Sequence, residues 1–472
     1  MRLHSKQIQW AIVALLVMGV GVRLAAVRGD LWLDEIWSIE LAKEAGGPLG
    51  VFTALHHDNN HYLNTLWLQL LGDHRPSWVY RVAPLLASLL WLVWVGLAVA
   101  RRNRSEAVLV LLLLSPSYLF VLQGTEARGY ALLLLFLVLS WSCLDLEIRG
   151  RPGPWGPLFG VFSILGLLAH LSFSVFLLGG AAWVVFGSTR SSGRSRGLLR
   201  MLVRLFGLPA VIVLLLYWVD GRHIRVGGAP LMNASEAVGQ ATALALGLPA
   251  TGFFLALAPV VLGATAVVEL ERRRKKGDSE WILFAVSIFI APALALALAL
   301  ALARPPFVAA RYFLIPVFLT LLLLAGLLCR WWKEGETGKR VTVALVLVVI
   351  VGGNVVQLGR FLTALRGEYA QAVERLAVEA ANRPISVGSD HDHRNRTVLE
   401  FYTRRDHPEL AVEYIEVGDW EARQPEWLFL HSFAEGLYGN PVLKTPAGSY
   451  ALVETYRHYG LSGWDWFLYR KE

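Results

Sequence analysis

Apolar residues along this chain gather in long uninterrupted runs separated by short basic or aromatic loops, and a different pattern takes over after Leu365. The runs lie at about 10–27, 79–100, 107–124, 129–147, 157–170, 171–187, 201–219, 245–269, 281–303, 309–329 and 341–361. A helix rises about 1.5 Å per residue, so roughly twenty apolar residues cross a hydrocarbon core of about 30 Å. Eleven spanning helices are predicted. The alternating Ala-Leu of residues 291–303 has the period of a strand, but its apolar surroundings extend the run past the length of any buried strand, and a helix is expected. Residues 157–170 and 171–187 abut at His170, where one long tilted helix competes with two crossings. Residues 62–71 are apolar but carry Asn64, Thr65 and Gln69 and are about half of spanning length, which predicts an interfacial helix. Beyond residue 365 the chain is charged, aromatic and rich in His, with strand-like runs at 426–430 and 450–453. The predicted division is a helical transmembrane part, 1–364, with its first external loop at 28–78, and a small α/β or α+β domain, 365–472.

Composition agrees with this picture. The chain is 55% hydrophobic and only 17% charged, with a mean hydropathy of +0.50, which describes a polytopic membrane protein. Its formal net charge of +8 would point to nucleic acid in a soluble protein. Here the cations cluster in loops at 101–104, 149–151, 190–204, 272–276 and 330–340 and at the N-terminus, so membrane orientation accounts for them and no nucleic-acid partner is implied. These six clusters are expected in the cytoplasm, which makes 157–187 two crossings and puts the C-terminal domain outside. The first run follows Arg2 and Lys6 and leads into an acidic aromatic segment rather than a small-residue cleavage site, so it reads as a retained span. Cys143 and Cys329 lie in or at the end of apolar runs and imply no disulfide framework.

This topology collects the unusual polar residues on the external face. Asp34 and Glu35 lie between Trp32 and Trp37, close beyond the first span. Either they belong to a solvated helix start, since residues 36–45 look helical, or Asp34 is a partly desolvated general base with Glu35 as its helper. The run His56-His57-Asp58-Asn59-Asn60-His61 offers imidazoles, a carboxylate and amides. It reads as a polar loop or as a sugar- or acceptor-binding loop ahead of a metal site, because histidines spaced i, i+4 on a helix are lacking. Glu126, Arg128 and Tyr130 lie where the third span meets the fourth, His170 at the turn between two short runs, and Arg304, Arg311 and Tyr312 around Pro305-Pro306. Snorkelling ion pairs explain such arginines, and so does contact with a lipid phosphate, which suits guanidinium geometry. His391 and His393 would share one face of a strand, although a plain loop competes with a metal site there. The six expected cytoplasmic loops hold no phosphate-cradling Gly loop or zinc-spaced cluster, so any chemistry is expected outside.

Asp34-Glu35, the stretch from Asp58 to Thr65, Glu126-Ala127-Arg128-Gly129-Tyr130 and Ala310-Arg311-Tyr312-Phe313-Leu314-Ile315-Pro316 together resemble the GT-C glycosyltransferases. The resemblance covers roughly residues 10–330 and is to the bacterial branch related to protein O-mannosyltransferases and the lipid A aminoarabinose transferase. Asn59-Asn60-His61 departs from the His-Pro-Pro of many relatives. The resemblance implies an inner-membrane enzyme that moves a sugar from a polyprenyl-phosphate donor to a lipid, glycan or protein acceptor of the envelope, on the extracytoplasmic face and usually with inversion. It implies Asp34 as the base and Arg128 and Arg311 around the lipid phosphate; from the residues themselves, Arg304 and Tyr312 are expected beside that phosphate, and substrate contacts are expected from His57 to His61 and from Glu126, Tyr130 and His170. No cofactor is required, and assistance by a divalent metal is left open. A transporter or flippase of lipid-linked sugars would place ionisable or helix-breaking residues at mid-membrane, where these spans are largely clean apart from Pro116, Pro209 and Pro316. Eleven spans also exceed what anchoring a binding module needs.

Overall fold

The computed structural model describes residues 5–188, 195–224, 233–302, 308–381, 383–433 and 439–472. Among them, eight helices are long and apolar enough to cross a membrane, namely Lys6–Ala26, Val82–Arg102, Tyr130–Ile148, Gly197–His223, Phe253–Lys275, Trp281–Leu298, Ala310–Glu334 and Thr337–Ala364. A further run is a pair, Arg104–Leu114 and Tyr118–Gly124, bent by 72°. The shorter apolar helices Trp155–Ala169 and Leu171–Gly187 complete the set, so each of the eleven apolar runs is helical.

The breaks have local causes. Pro116 supplies no N–H and the first half of the bent pair stops at Leu114; the orphaned Tyr118 N–H then donates to the Asn354 side chain at 2.7 Å. His170 is extended (φ −166°, ψ 132°) and separates 157–187 into two helices, its ring accepting from the Ser172 N–H. The run expected at 245–269 is not one helix. Helix Ala234–Ala245 ends ahead of it, and Gly247 at φ +74° and Gly252 at φ +54° turn the chain into Phe253–Lys275. Residues Tyr62–Leu71 form the short helix their pattern predicts.

The C-terminal region is a six-stranded mixed sheet of β1 (Ile385–Ser389), β2 (Val412–Ile415), β3 (Trp427–Ser432), β4 (Val442–Thr445), β5 (Gly448–Tyr456) and β6 (Asp465–Lys471). The order is β2-β1-β3-β6-β5-β4, parallel across the first three strands and antiparallel beyond. Its aromatic strands are mostly buried because helices Tyr369–Ala380 and Asp392–Asp406 and the first loop cover one face. One core joins Leu31, Trp32, Ile36 and Ile39 of that loop to Tyr369, Tyr402, Trp464 and Trp466. Tyr402 fastens the contact, its hydroxyl accepting from the Leu31 N–H at 2.7 Å and donating to the Leu31 carbonyl at 3.0 Å. His391 and His393 are not on a strand. His391 caps helix Asp392–Asp406 and His393 lies within its first turn, because an imidazole accepting from the Arg394 N–H competes better here than sheet pairing.

Candidate active site

Helix Leu33–Glu44 begins directly beyond the first span, and its first two acidic residues point in different directions. Glu35 turns back and inward, accepting from the Trp32 N–H at 3.3 Å, as a residue in the first helical turn does when it satisfies an orphan donor. It is wholly buried and receives Arg81 through two bonds, Nε at 2.7 Å and Nη2 at 2.6 Å. Burial would push the Glu35 carboxyl up, but Arg81 outweighs it and holds the group below its usual range. Arg81 also donates to the carbonyls of Val27, Arg28, Gly29 and Asp30, closing the end of the first span.

Asp34 faces the other way. Its Oδ2 lies 2.5 Å from Arg128 Nη1 and 3.0 Å from Arg311 Nη1, with the side chain 14% exposed. Asn59 fixes this corner, donating to the Asp34 carbonyl at 2.8 Å and the Ser38 hydroxyl at 2.9 Å and accepting from Arg128 Nη2 at 2.5 Å. His61 Nε2 lies 3.3 Å from the same guanidinium nitrogen, and its ring packs against Tyr130 and His170. The Arg128 and Arg311 guanidiniums lie over the rings of Tyr130 and Tyr312 respectively. Burial, reinforced by the neighbouring arginines, drives the His61 imidazole well below its ordinary 6.5 and that of His170 down to about 3, so both are neutral rings. One carboxylate between two guanidiniums leaves positive charge over. Arg128 Nε, Arg311 Nε and the Tyr130 hydroxyl are all buried without a hydrogen-bond partner.

Of the residues singled out in the sequence, Asp34, Asn59, His61, Arg128, Tyr130, His170, Arg311 and Tyr312 therefore meet in one cluster. His57 and Asp58 border it, paired at 3.1 Å, with the His57 ring against Trp37. Asn60 is turned away and holds its own loop through the Val51 and Leu55 carbonyls. Glu126 is buried outside the cluster, bonded to the Ser462 hydroxyl and 3.8 Å from Arg366, and burial raises its carboxyl. Arg304 lies outside the described residues. Among those described, no group of three or more His, Cys, Asp or Glu side chains could hold a metal.

The sequence reading missed Arg81, Asn64 and the contribution of the tail. Arg81 was hidden inside the apolar run 79–100, although an arginine at the external end of a span is itself a signal. Asn64 donates to the Ala127 carbonyl at 2.7 Å while Glu35 accepts from the Ala127 N–H at 2.8 Å, so the residue immediately before Arg128 is held through both its backbone groups. From the tail, His393 packs against Trp37 with ring centroids 5.0 Å apart.

No family model matches the chain, and no curated protein matches its sequence. The crystal structure of ArnT from Cupriavidus metallidurans in the apo state is similar, with a TM-score of 0.50 and 12% identity over 89% of this chain and 92% of that one. A likeness that covers most of both chains at so low an identity bears on architecture. In architecture, then, this chain is a polytopic membrane protein that shares the fold of that structure.

Proposed function

We propose that the protein is a membrane glycosyltransferase that moves a sugar from a polyprenyl-phosphate donor to a hydroxyl acceptor at the extracytoplasmic surface, inverting the anomeric centre. The observation that carries this reading is the Asp34 carboxylate held between Arg128 and Arg311, with three further buried donors unspent beside it. Arg128 and Arg311 have more donor capacity than Asp34 uses, and a phosphate group suits the remainder. As the donor phosphate engages them, the guanidiniums loosen their hold on Asp34, which is then free to take the proton of the acceptor hydroxyl. The acceptor oxygen forms the new bond to the anomeric carbon, the bond from that carbon to the phosphate oxygen breaks, and the electron pair leaves with the polyprenyl phosphate. The arginines stabilise charge that grows as that bond breaks. His61 and His170, neutral and packed together, shape the wall rather than add charge. Glu35 serves by position, since its carboxylate is fully engaged by Arg81 and the backbone.

Mass spectrometry of lipid-linked sugars and envelope glycans in cells lacking the protein tests this. A donor should accumulate and one modification should vanish, both restored by the wild-type gene. Asp34→Asn should reach the membrane in normal amount yet fail to restore the modification, with turnover lower by about 10²–10⁴-fold. Full restoration by Asp34→Asn would remove Asp34 as the base.

A further inference from the structure

A second charged site lies at the opposite ends of the same helices. Helix Val82–Arg102 begins next to Arg81, the partner of Glu35, and runs 21 residues, so Arg102 stands about 30 Å away. There Glu280, 1% exposed, accepts from Arg102 Nη1 at 2.8 and 3.0 Å, from Trp141 Nε1 at 2.8 Å and from Arg273 Nη1 at 3.3 Å. Arg102 also reaches Asp145 at 2.9 Å. This hub locks several helices together and uses up its own charges.

Two hollows of about 410 Å³ each flank the hub and share Arg102, Trp141 and Arg149 as walls. That volume falls within the roughly 300–1,000 Å³ of small-molecule sites. The first hollow has an apolar floor of Ala98, Trp141 and Leu146 and adds Arg101 and Arg151 at its rim; the second has Val99, Phe284 and Leu322 beside a charged wall that includes Glu106, Asp278, Arg272 and Arg273, and adds Lys276. Arg101, Arg151 and Lys276 are exposed, and among the described residues their side chains make no ion pair or hydrogen bond. Arg273 Nε is buried beside them without a hydrogen-bond partner, 3.6 Å from Glu269. Apolar floors inside the ends of spans, edged by uncommitted cations, have the two-part chemistry of a phospholipid, whose glycerol and first methylenes need the floor and whose phosphate needs the rim.

We infer that this paired hollow binds the phosphate headgroup of an anionic membrane lipid, on the face opposite the Asp34 cluster. The site is independent of the proposed transfer reaction, which uses none of these residues. The test uses the full chain purified in a neutral detergent, with thermal unfolding and native mass spectrometry in phosphatidylglycerol, phosphatidylcholine or inorganic phosphate. Phosphatidylglycerol should raise the melting temperature more than phosphatidylcholine and remain bound in the gas phase. In the triple variant Arg101→Gln, Arg151→Gln, Lys276→Gln the melting temperature in phosphatidylcholine should be unchanged, because these side chains support no other group. Its apparent affinity for phosphatidylglycerol should fall at least tenfold. Lys275→Gln, an exposed cation of the same loop outside the hollows, should keep the full response. Equal stabilisation by the two lipids, a triple variant with an undiminished response, or protection by inorganic phosphate as strong as by phosphatidylglycerol would each overturn the assignment.

Discussion

Asp34 and Glu35 are adjacent in sequence and chemically alike, and their different surroundings separate their roles. Consecutive residues on a helix point about 100° apart, which is enough to turn Asp34 into the arginine cluster and Glu35 into the core. Removing the Glu35 charge leaves Arg81 buried beside no carboxylate, a loss of about 3–5 kcal/mol for a broken buried pair. Glu35→Gln should therefore lower the melting temperature, with any loss of turnover following from a displaced Arg128, whereas Asp34→Asn, at a partly exposed carboxylate between Arg128 and Arg311, should cost less stability and most of the turnover. The pH dependence distinguishes the two further. Because the folded Glu35 group is held below its ordinary 4.5, its stabilisation is fully present above that value and is lost as pH falls through the folded value. The melting difference between wild type and Glu35→Gln should thus be largest near neutrality and shrink in acid. A difference independent of pH would show that Glu35 acts through packing alone.

At the scale of elements, the site depends on loops meeting helix ends, and this is where the sequence was read unevenly. Apolar runs translate directly into helices because the bilayer imposes one length, and residues 62–71 and the strands β3 and β5 were equally plain from local pattern. What local pattern cannot contain is pairing over distance. Glu35 meets Arg81 and Ala127 because three separate chain segments converge, and neither contact leaves a periodic trace. The His391–His393 segment shows the same limit in reverse, since a period of two was present but a helix cap decided the structure.

The junction of Gly129 with His61 and His170 is the tightest of these meetings. A Cβ on Gly129 would lie 2.1 Å from the Ala169 carbonyl oxygen and 2.9 Å from His61 Nδ1, so Gly129→Ala must push the turn carrying Arg128 away from Asp34. Turnover should fall by more than tenfold while the helical circular dichroism is retained. The two neutral imidazoles make the same junction acid-sensitive. Their folded values lie below 6.5, so the unfolded chain takes up protons first and stability is lost as pH drops below about 6.5. His61→Gln should reduce the slope of melting temperature against pH between 7 and 5; an unchanged slope would place the acid sensitivity elsewhere.

For the whole molecule, the tail and the spans act as one unit, joined through Tyr402 on Leu31, Ser462 on Glu126 and the Asp30 carboxylate accepting from the Ala370 N–H at 2.7 Å. The tail therefore lies on the same side as Asp34, and the hub of Glu280 and Arg102 lies at the far ends of the helices. A single orientation in the membrane settles both faces at once, and the loop at 272–276 argues for that hub lying in the cytoplasm. Two exposed positions read it out. Cys143 and Cys329 are buried, which leaves an introduced thiol as the reactive one in the folded protein. In intact cells a membrane-impermeant maleimide should label Glu421→Cys, exposed beside the sheet, and should reach Lys275→Cys only after permeabilisation. The opposite pattern would turn the Asp34 cluster to the cytoplasm and overturn the proposed transfer at the external surface. Orientation is thus the one measurement at this scale on which the proposed base, the arginines proposed to hold phosphate and the tail all depend together.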